Sequence, residues 1–184
     1  MDKALSLNDV TEGLQNKVSA QDYSKKPVID GIKIVEVKSI VGEDGDFSEL
    51  FRINQNGEVD NFPGFKIAQI NRSKLIPGAI KAWHLHFNQD EIWHVVPSNR
   101  LVVGLWDVRA NSATNNVSMK IVLGGGISKL LYIPRGVAHG CANFTKKDAE
   151  LFYFVSNQFD INNPDEKRFK WDENGADFWT PTRE

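Results

Sequence analysis

The chain has 184 residues, with 22 Lys and Arg against 24 Asp and Glu, for a formal net charge of -2. Near-neutral charge excludes a global basic field for nucleic acid or anionic membrane, and no apolar run reaches the roughly 18 to 20 residues of a membrane helix. With 41% hydrophobic residues and one cysteine, Cys141, the composition fits a soluble core without an intrachain disulfide, so a cytoplasmic protein is expected.

Residues 1–28 are polar and mixed in charge, with Leu5, Leu7, Val10 and Leu14 loosely spaced at helical intervals. They are expected to form an arm or short helix ahead of one domain over 29–184. From there short β-rich runs recur: IKIVEVKSI (32–40), FKIAQINRS (65–73), IKAWHLHF (80–87), EIWHVV (91–96), RLVVGLWDV (100–108), SMKIVLG (118–124), SKLLYIP (128–134) and ELFYFVS (150–156). Gly, Pro, Asn and Asp separate them, which predicts an all-β sandwich or barrel. The last stretch is turn-rich, and Trp171, Phe178 and Trp179 are expected to pin it to the domain.

All four histidines lie between positions 84 and 139. Residues two apart on a strand share a face, so His84 and His86 point one way and Trp83, Leu85 and Phe87 the other. Two imidazoles facing inward need partners: water, a ligand or a metal. Gly78 stands six residues before His84-Leu85-His86, Glu91 follows five residues later, and Pro134-Arg135-Gly136 precedes His139 and Asn143. This pattern resembles the two signature motifs of the cupin superfamily, which implies a jelly-roll β-barrel. The competing reading makes these histidines hydrogen-bonded core residues, and His94 is expected to be structural.

A narrower resemblance spans about residues 40–181. Gly78-Ala79-Ile80-Lys81-Ala82-Trp83-His84 is similar to a Gly-Val-Leu-Arg-Gly-Leu-His stretch, and Gln69, Asn71 and Ser73 match Gln-x-Asn-x-Ser. Asp107, Arg109, Ser112 and Thr114 match Asp-x-Arg-x-x-Ser-x-Thr. Residues 133–140 resemble Ile-Pro-x-Gly-x-Ala-His-Gly, and 149–153 resemble Ala-Glu-x-x-Tyr. Together they resemble the nucleotide-sugar epimerases typified by dTDP-4-dehydrorhamnose 3,5-epimerase. The resemblance implies an enolate mechanism on a nucleotide-linked 4-keto-6-deoxy sugar, as used in making surface polysaccharides. His84 would be the base and Tyr153 the acid. Gln69, Asn71, Lys81, His86, His139 and Arg135 would bind substrate. No metal or organic cofactor is implied, because the substrate ketone is the electron sink, and a homodimer is expected. Arg52 and Lys129 are further candidates for contacting a diphosphate.

Several positions depart from the family. Glu91 stands where the family has the lysine that steadies the enolate, and Lys81 replaces an arginine. The Arg-Gly pair of an N-terminal phosphate-contacting loop is replaced near Gly45-Asp46. No counterpart is evident for the late aspartate that orients the base. Two other readings therefore stand beside the epimerase: a metal-dependent cupin with His84, His86, Glu91 and His139 as ligands to Fe, Mn, Ni or Zn, and a sugar-binding cupin without catalysis. Tyr153 in an apolar strand also has a plain core reading.

Overall fold

The computed structural model describes residues 4–21, 23–24 and 27–181. In place of a helix, the N-terminal arm makes two 3-10 turns, Leu7–Asp9 and Gln15–Lys17. Twelve strands follow: β1 Lys33–Glu36, β2 Ile40–Gly42, β3 Gly45–Phe47, β4 Gln69–Leu75, β5 Ile80–Leu85, β6 Glu91–His94, β7 Arg100–Asp107, β8 Ser118–Gly124, β9 Lys129–Ile133, β10 Val137–Ala142, β11 Ala149–Val155 and β12 Lys167–Arg168.

Two five-stranded antiparallel sheets carry the fold. One is ordered β1-β9-β6-β11-β4 and the other β12-β5-β10-β7-β8, while β2 and β3 form a separate hairpin. Among the described residues the two sheets are not hydrogen-bonded into a closed ring, so this jelly roll is a pair of facing sheets.

Period-two alternation decides what each strand sends inward. On β4, Gln69, Asn71 and Ser73 are half-buried while Ile70, Arg72 and Lys74 are exposed. On β6, Trp93 joins the main apolar cluster with Leu101, Val103, Leu105, Leu131 and Ile133, whereas its neighbour Ile92 belongs to a second cluster. Segment 50–67 supplies that second cluster with Phe62, Phe65 and Val59, so β6 is buried on both faces. Outside the other sheet, Trp83, Trp179 and Phe178 pack with centroids 4.9 and 5.0 Å from the Trp83 ring. Thus Phe178 and Trp179 are pinned as the sequence suggests, around the 3-10 turn Ala176–Trp179, whereas the Trp171 ring is exposed and only its carbonyl is engaged, by Trp179 Nε1.

The β5–β10 ladder is irregular where the site lies. His84 pairs with His139, but Lys81 pairs with Cys141, so three steps on β5 answer two on β10. This bulge re-aims side chains. Lys81 and His84, of opposite parity, consequently reach the same cavity.

Candidate active site

The two sheets enclose a cavity of about 490 Å³, within the range of small-molecule sites. Gln69, Asn71 and Ser73 reach it from β4, Glu91 and Trp93 from β6, and Leu151, Tyr153 and Val155 from β11. Facing them are Lys81 and His84 from β5, His86 just beyond it, His139 and Cys141 from β10, and Arg168 from β12. Phe159 and Glu166 complete the wall.

Of the substrate-binding candidates, Gln69, Asn71, Lys81, His86 and His139 are brought together here, with His84 and Tyr153. Arg135 is not. It is absent from the cavity wall, and its guanidinium is held by Asp90 at 2.9 and 3.0 Å. Asp90 lies in the tight connection between the histidine strand and β6, and the partner in that loop draws the arginine away. Arg52 pairs with Glu49 at 2.9 Å, and neither it nor Lys129 lines the cavity. Asp107, Arg109, Ser112 and Thr114 form a knot instead of a ligand surface. Asp107 accepts from Arg109 Nε, Ser112 Oγ and Thr114 Oγ1 at 2.8, 2.6 and 2.7 Å, and Arg109 also reaches the Asp30 carbonyl at 2.7 Å. Buried His94 is structural as expected, with Nδ1 3.1 Å from the Lys129 carbonyl.

The expected absence of a carboxylate behind His84 is overturned. Glu166 Oε1 lies 3.0 Å from His84 Nδ1. A carboxylate accepts, so Nδ1 carries the proton and Nε2 keeps its lone pair. Arg168, paired with His84 across the β12–β5 ladder, donates from Nε to the same Glu166 oxygen at 2.8 Å. Burial first, then the Arg168 charge, lowers the His84 pKa against the opposing pull of Glu166. His84 is therefore a neutral imidazole at physiological pH. The sequence reading missed Glu166 because it lies 82 positions from its partner in a turn-rich stretch without strand periodicity. The available signal was the acidic pair Asp165-Glu166 set just before Lys167-Arg168-Phe169.

Asp165 organises the same corner. Its carboxylate accepts from the backbone N–H of Phe87, Asn88 and Gln89 at 3.0, 2.7 and 3.1 Å, and its carbonyl lies 2.6 Å from His86 Nδ1. Glu91 is buried beside His86 and His139, with its oxygens 3.1 and 3.5 Å from their Nε2 atoms. Trp93 Nε1 donates to Glu91, as does Gln89 Nε2 at 2.8 Å. Burial alone would raise the Glu91 carboxyl, but the two histidines and the Trp93 N–H outweigh it and hold it at about 2. Burial pushes His139 down to about 4.

Tyr153 projects from the opposite sheet, next to Asn71 and Trp93 in the β11 ladders. Burial, reinforced by the Glu91 and Glu166 charges, raises its pKa, so the phenol keeps its proton. Lys81 Nζ bonds Ser73 Oγ at 2.6 Å. Cys141, raised to about 12 by burial, is an unreactive thiol in the wall.

A neutral imidazole backed by a carboxylate and a protonated phenol on the facing sheet, inside a jelly-roll cavity, define a proton-transfer enzyme of the sugar-epimerase class. The family model described as dTDP-4-dehydrorhamnose 3,5-epimerase matches residues 26–180, and the chain belongs to that family. The spore coat polysaccharide biosynthesis protein SpsL of Bacillus subtilis is 34% identical over 151 residues, covering 82% of this chain and 95% of that protein. The probable low-salt glycan biosynthesis epimerase Agl13 of Haloferax volcanii is 26% identical, covering 79% and 90%. In fold, the chain resembles NovW of Streptomyces spheroides, a 4-keto-6-deoxy sugar epimerase, with a TM-score of 0.70 at 20% identity over 89% of this chain and 83% of that one. Membership in this family makes the chain a nucleotide-sugar epimerase-type enzyme of carbohydrate biosynthesis. Among the described residues no helix is long and apolar enough to cross a membrane.

Proposed function

We propose that the chain inverts a carbon next to the ketone of a nucleoside-diphosphate-linked 4-keto-6-deoxy sugar. The observation that carries this reading is the placement of His84 and Tyr153 on facing sheets of one cavity. The C4 ketone acidifies the protons on C3 and C5. His84 Nε2 removes one, leaving an enolate, while Glu166 stabilises the imidazolium through Nδ1–H. Tyr153 then delivers its proton from the other face, and the centre is inverted. Gln69, Asn71, His86 and His139 hold the sugar, and Lys81 meets the diphosphate as a single cation where an arginine would bind it in two places.

The test supplies a 4-keto-6-deoxy nucleotide sugar in deuterated water and follows the sugar by proton NMR. Deuterium incorporation with inversion, abolished by His84→Asn, is expected. Near-normal turnover in that variant would remove His84 from the base role.

We also propose a cytoplasmic homodimer. The β2–β3 hairpin exposes Ile40, Val41 and Phe47, apolar surface suited to a second copy, and the sole cysteine is a buried free thiol. A monomer by light scattering at micromolar concentration would count against the dimer.

A further inference from the structure

We propose that Arg168 is a diphosphate-binding residue that substrate draws away from Glu166, leaving that carboxylate to His84 alone. The inference rests on the proposed substrate carrying a diphosphate. Arg168 and Lys81 are the two Lys or Arg side chains among the described residues of the cavity wall. Both are exposed, so they stand where the wall opens to solvent. Both also adjoin the base: Arg168 lies opposite His84 in the β12–β5 ladder, and Lys81 precedes it on β5. A diphosphate carries more charge than the single ammonium of Lys81 offsets. A guanidinium adds a planar fork that phosphate oxygens accept from in two places.

The bonding of Glu166 carries the argument. One oxygen, Oε1, accepts from His84 Nδ1 at 3.0 Å, from Arg168 Nε at 2.8 Å and from Arg168 Nη2. A carboxylate oxygen has two lone pairs, so three donors divide its charge and the arginine competes with the base for it. The Arg168 charge, second only to burial, weakens His84 as a base, whereas Glu166 strengthens it. Magnitudes favour the exchange of partners. The Arg168 and Glu166 side chains are 64% and 34% exposed, and an ion pair so open to water adds little stability. A forked, charge-assisted contact to a phosphate is among the strong hydrogen bonds. Once Arg168 turns to the phosphates, the Glu166 charge falls on the imidazole that must take a proton from the sugar. Binding at the diphosphate end is thereby coupled to the strength of the base at the sugar end. Lys167, one residue earlier, pairs with Leu85 and does not line the cavity, as strand alternation requires, so it is a matched control for charge alone.

The experiment titrates the full-length protein with thymidine diphosphate, uridine diphosphate and pyrophosphate by calorimetry. It also follows the His84 Nδ1–H proton by NMR, assigned from its absence in His84→Asn. Arg168→Gln, checked for an intact fold by thermal melting, should weaken binding of pyrophosphate and of the preferred nucleotide by about 10–100-fold, the size expected of hydrogen bonds between charged groups. Arg168→Lys, which keeps the charge without the fork, should recover part of that loss. Lys167→Gln should bind within about twofold of the parent. In the parent, saturating nucleotide should move the Nδ1–H resonance downfield as Glu166 is left to His84. In Arg168→Gln the resonance should start downfield and stay there when nucleotide saturates the site. Failure of all three ligands to bind at millimolar concentration, unchanged affinity in Arg168→Gln, an equal loss in Lys167→Gln, or a nucleotide shift that persists in Arg168→Gln would each overturn the proposal. Any of those results beside normal deuterium exchange into the keto sugar would sink this inference alone. An Arg168-dependent response to nucleotide without exchange would sink the proposed sugar alone.

Discussion

His84 Nδ1 donates to Glu166 Oε1 at 3.0 Å, joining the histidine strand to the residue immediately ahead of β12, 82 positions later. The bond fixes one tautomer and aims Nε2, the only basic atom left on the ring, into the cavity. Glu166→Gln should therefore lower kcat by about 10–100-fold with little change in KM, a smaller loss than the roughly 10²–10⁴-fold expected from removing the base itself. Initial-rate kinetics of both variants check the order, and equal activity of Glu166→Gln and the parent would refute the coupling.

Tyr153 lines the cavity from the sheet facing His84. Tyr153→Phe should leave abstraction by His84 working while slowing delivery to the opposite face, so solvent deuterium should enter the substrate faster than inversion proceeds. NMR in deuterated water reads both rates. Loss of a partly buried hydroxyl should change stability by about 1 kcal/mol or less. Parallel loss of exchange and inversion would show that Tyr153 is needed before the enolate forms.

The Asp107 knot gives a pH dependence independent of catalysis. Burial alone would raise the Asp107 carboxyl, but the Arg109, Ser112 and Thr114 donors outweigh it and hold it well below the ordinary value. A carboxyl whose folded pKa is depressed stabilises fully above its unfolded pKa, near 3.8, and that stability fades as pH falls through the folded value. Asp107→Asn should cost on the order of 2 kcal/mol at neutral pH, the usual size for hydrogen bonds to a charged group. Chemical denaturation should show this gap narrowing below about pH 4. A gap unchanged down to pH 2 would contradict the assignment.

Gly140 sets how closely β5 and β10 approach under the cavity. A Cβ there would lie 2.7 Å from the Lys81 carbonyl oxygen and closer still to the Ala82 methyl. Gly140→Ala should push the two strands apart, destabilising the protein by about 1–3 kcal/mol and displacing Lys81, His84 and His139 together. Thermal melting should show the first effect, and a fall in kcat/KM at temperatures well below the melt the second.

The strands with alternating or wholly apolar patterns were legible in the sequence, and β4 to β9 and β11 stand close to where that pattern puts them. That His84 and His139 would share one site was expected from the cupin-like motifs, while Gln69, Asn71 and Tyr153 were expected beside them only through the resemblance to the epimerase family. The short hairpin β2–β3 and strand β12 carry too few residues for any period to show. β10, with Gly140 and Cys141 at its centre, has little intrinsic strand preference and is formed by its neighbours on both sides. Arg135 and Asp107 sit at family-like positions, yet local partners capture both. Charge pairing across loops leaves no periodic trace, which is why Asp90 and Glu166 were legible only in three dimensions.

The Asp165–Glu166 corner has a consequence for how the enzyme comes into being. Every strand but β12 and most of the core precede this corner in the chain, and the corner supplies the partners of His84 Nδ1, of His86 Nδ1 and of the backbone N–H groups at residues 87–89. A ribosome-bound chain can thus collapse into its jelly roll while its histidines still lack their anchors. Chemistry would switch on last, when a stretch of a few residues arrives and locks the rings. A nick after Asn163 should accordingly leave a melting transition and a dead enzyme, which makes this turn a point where a protease could silence the protein without unfolding it.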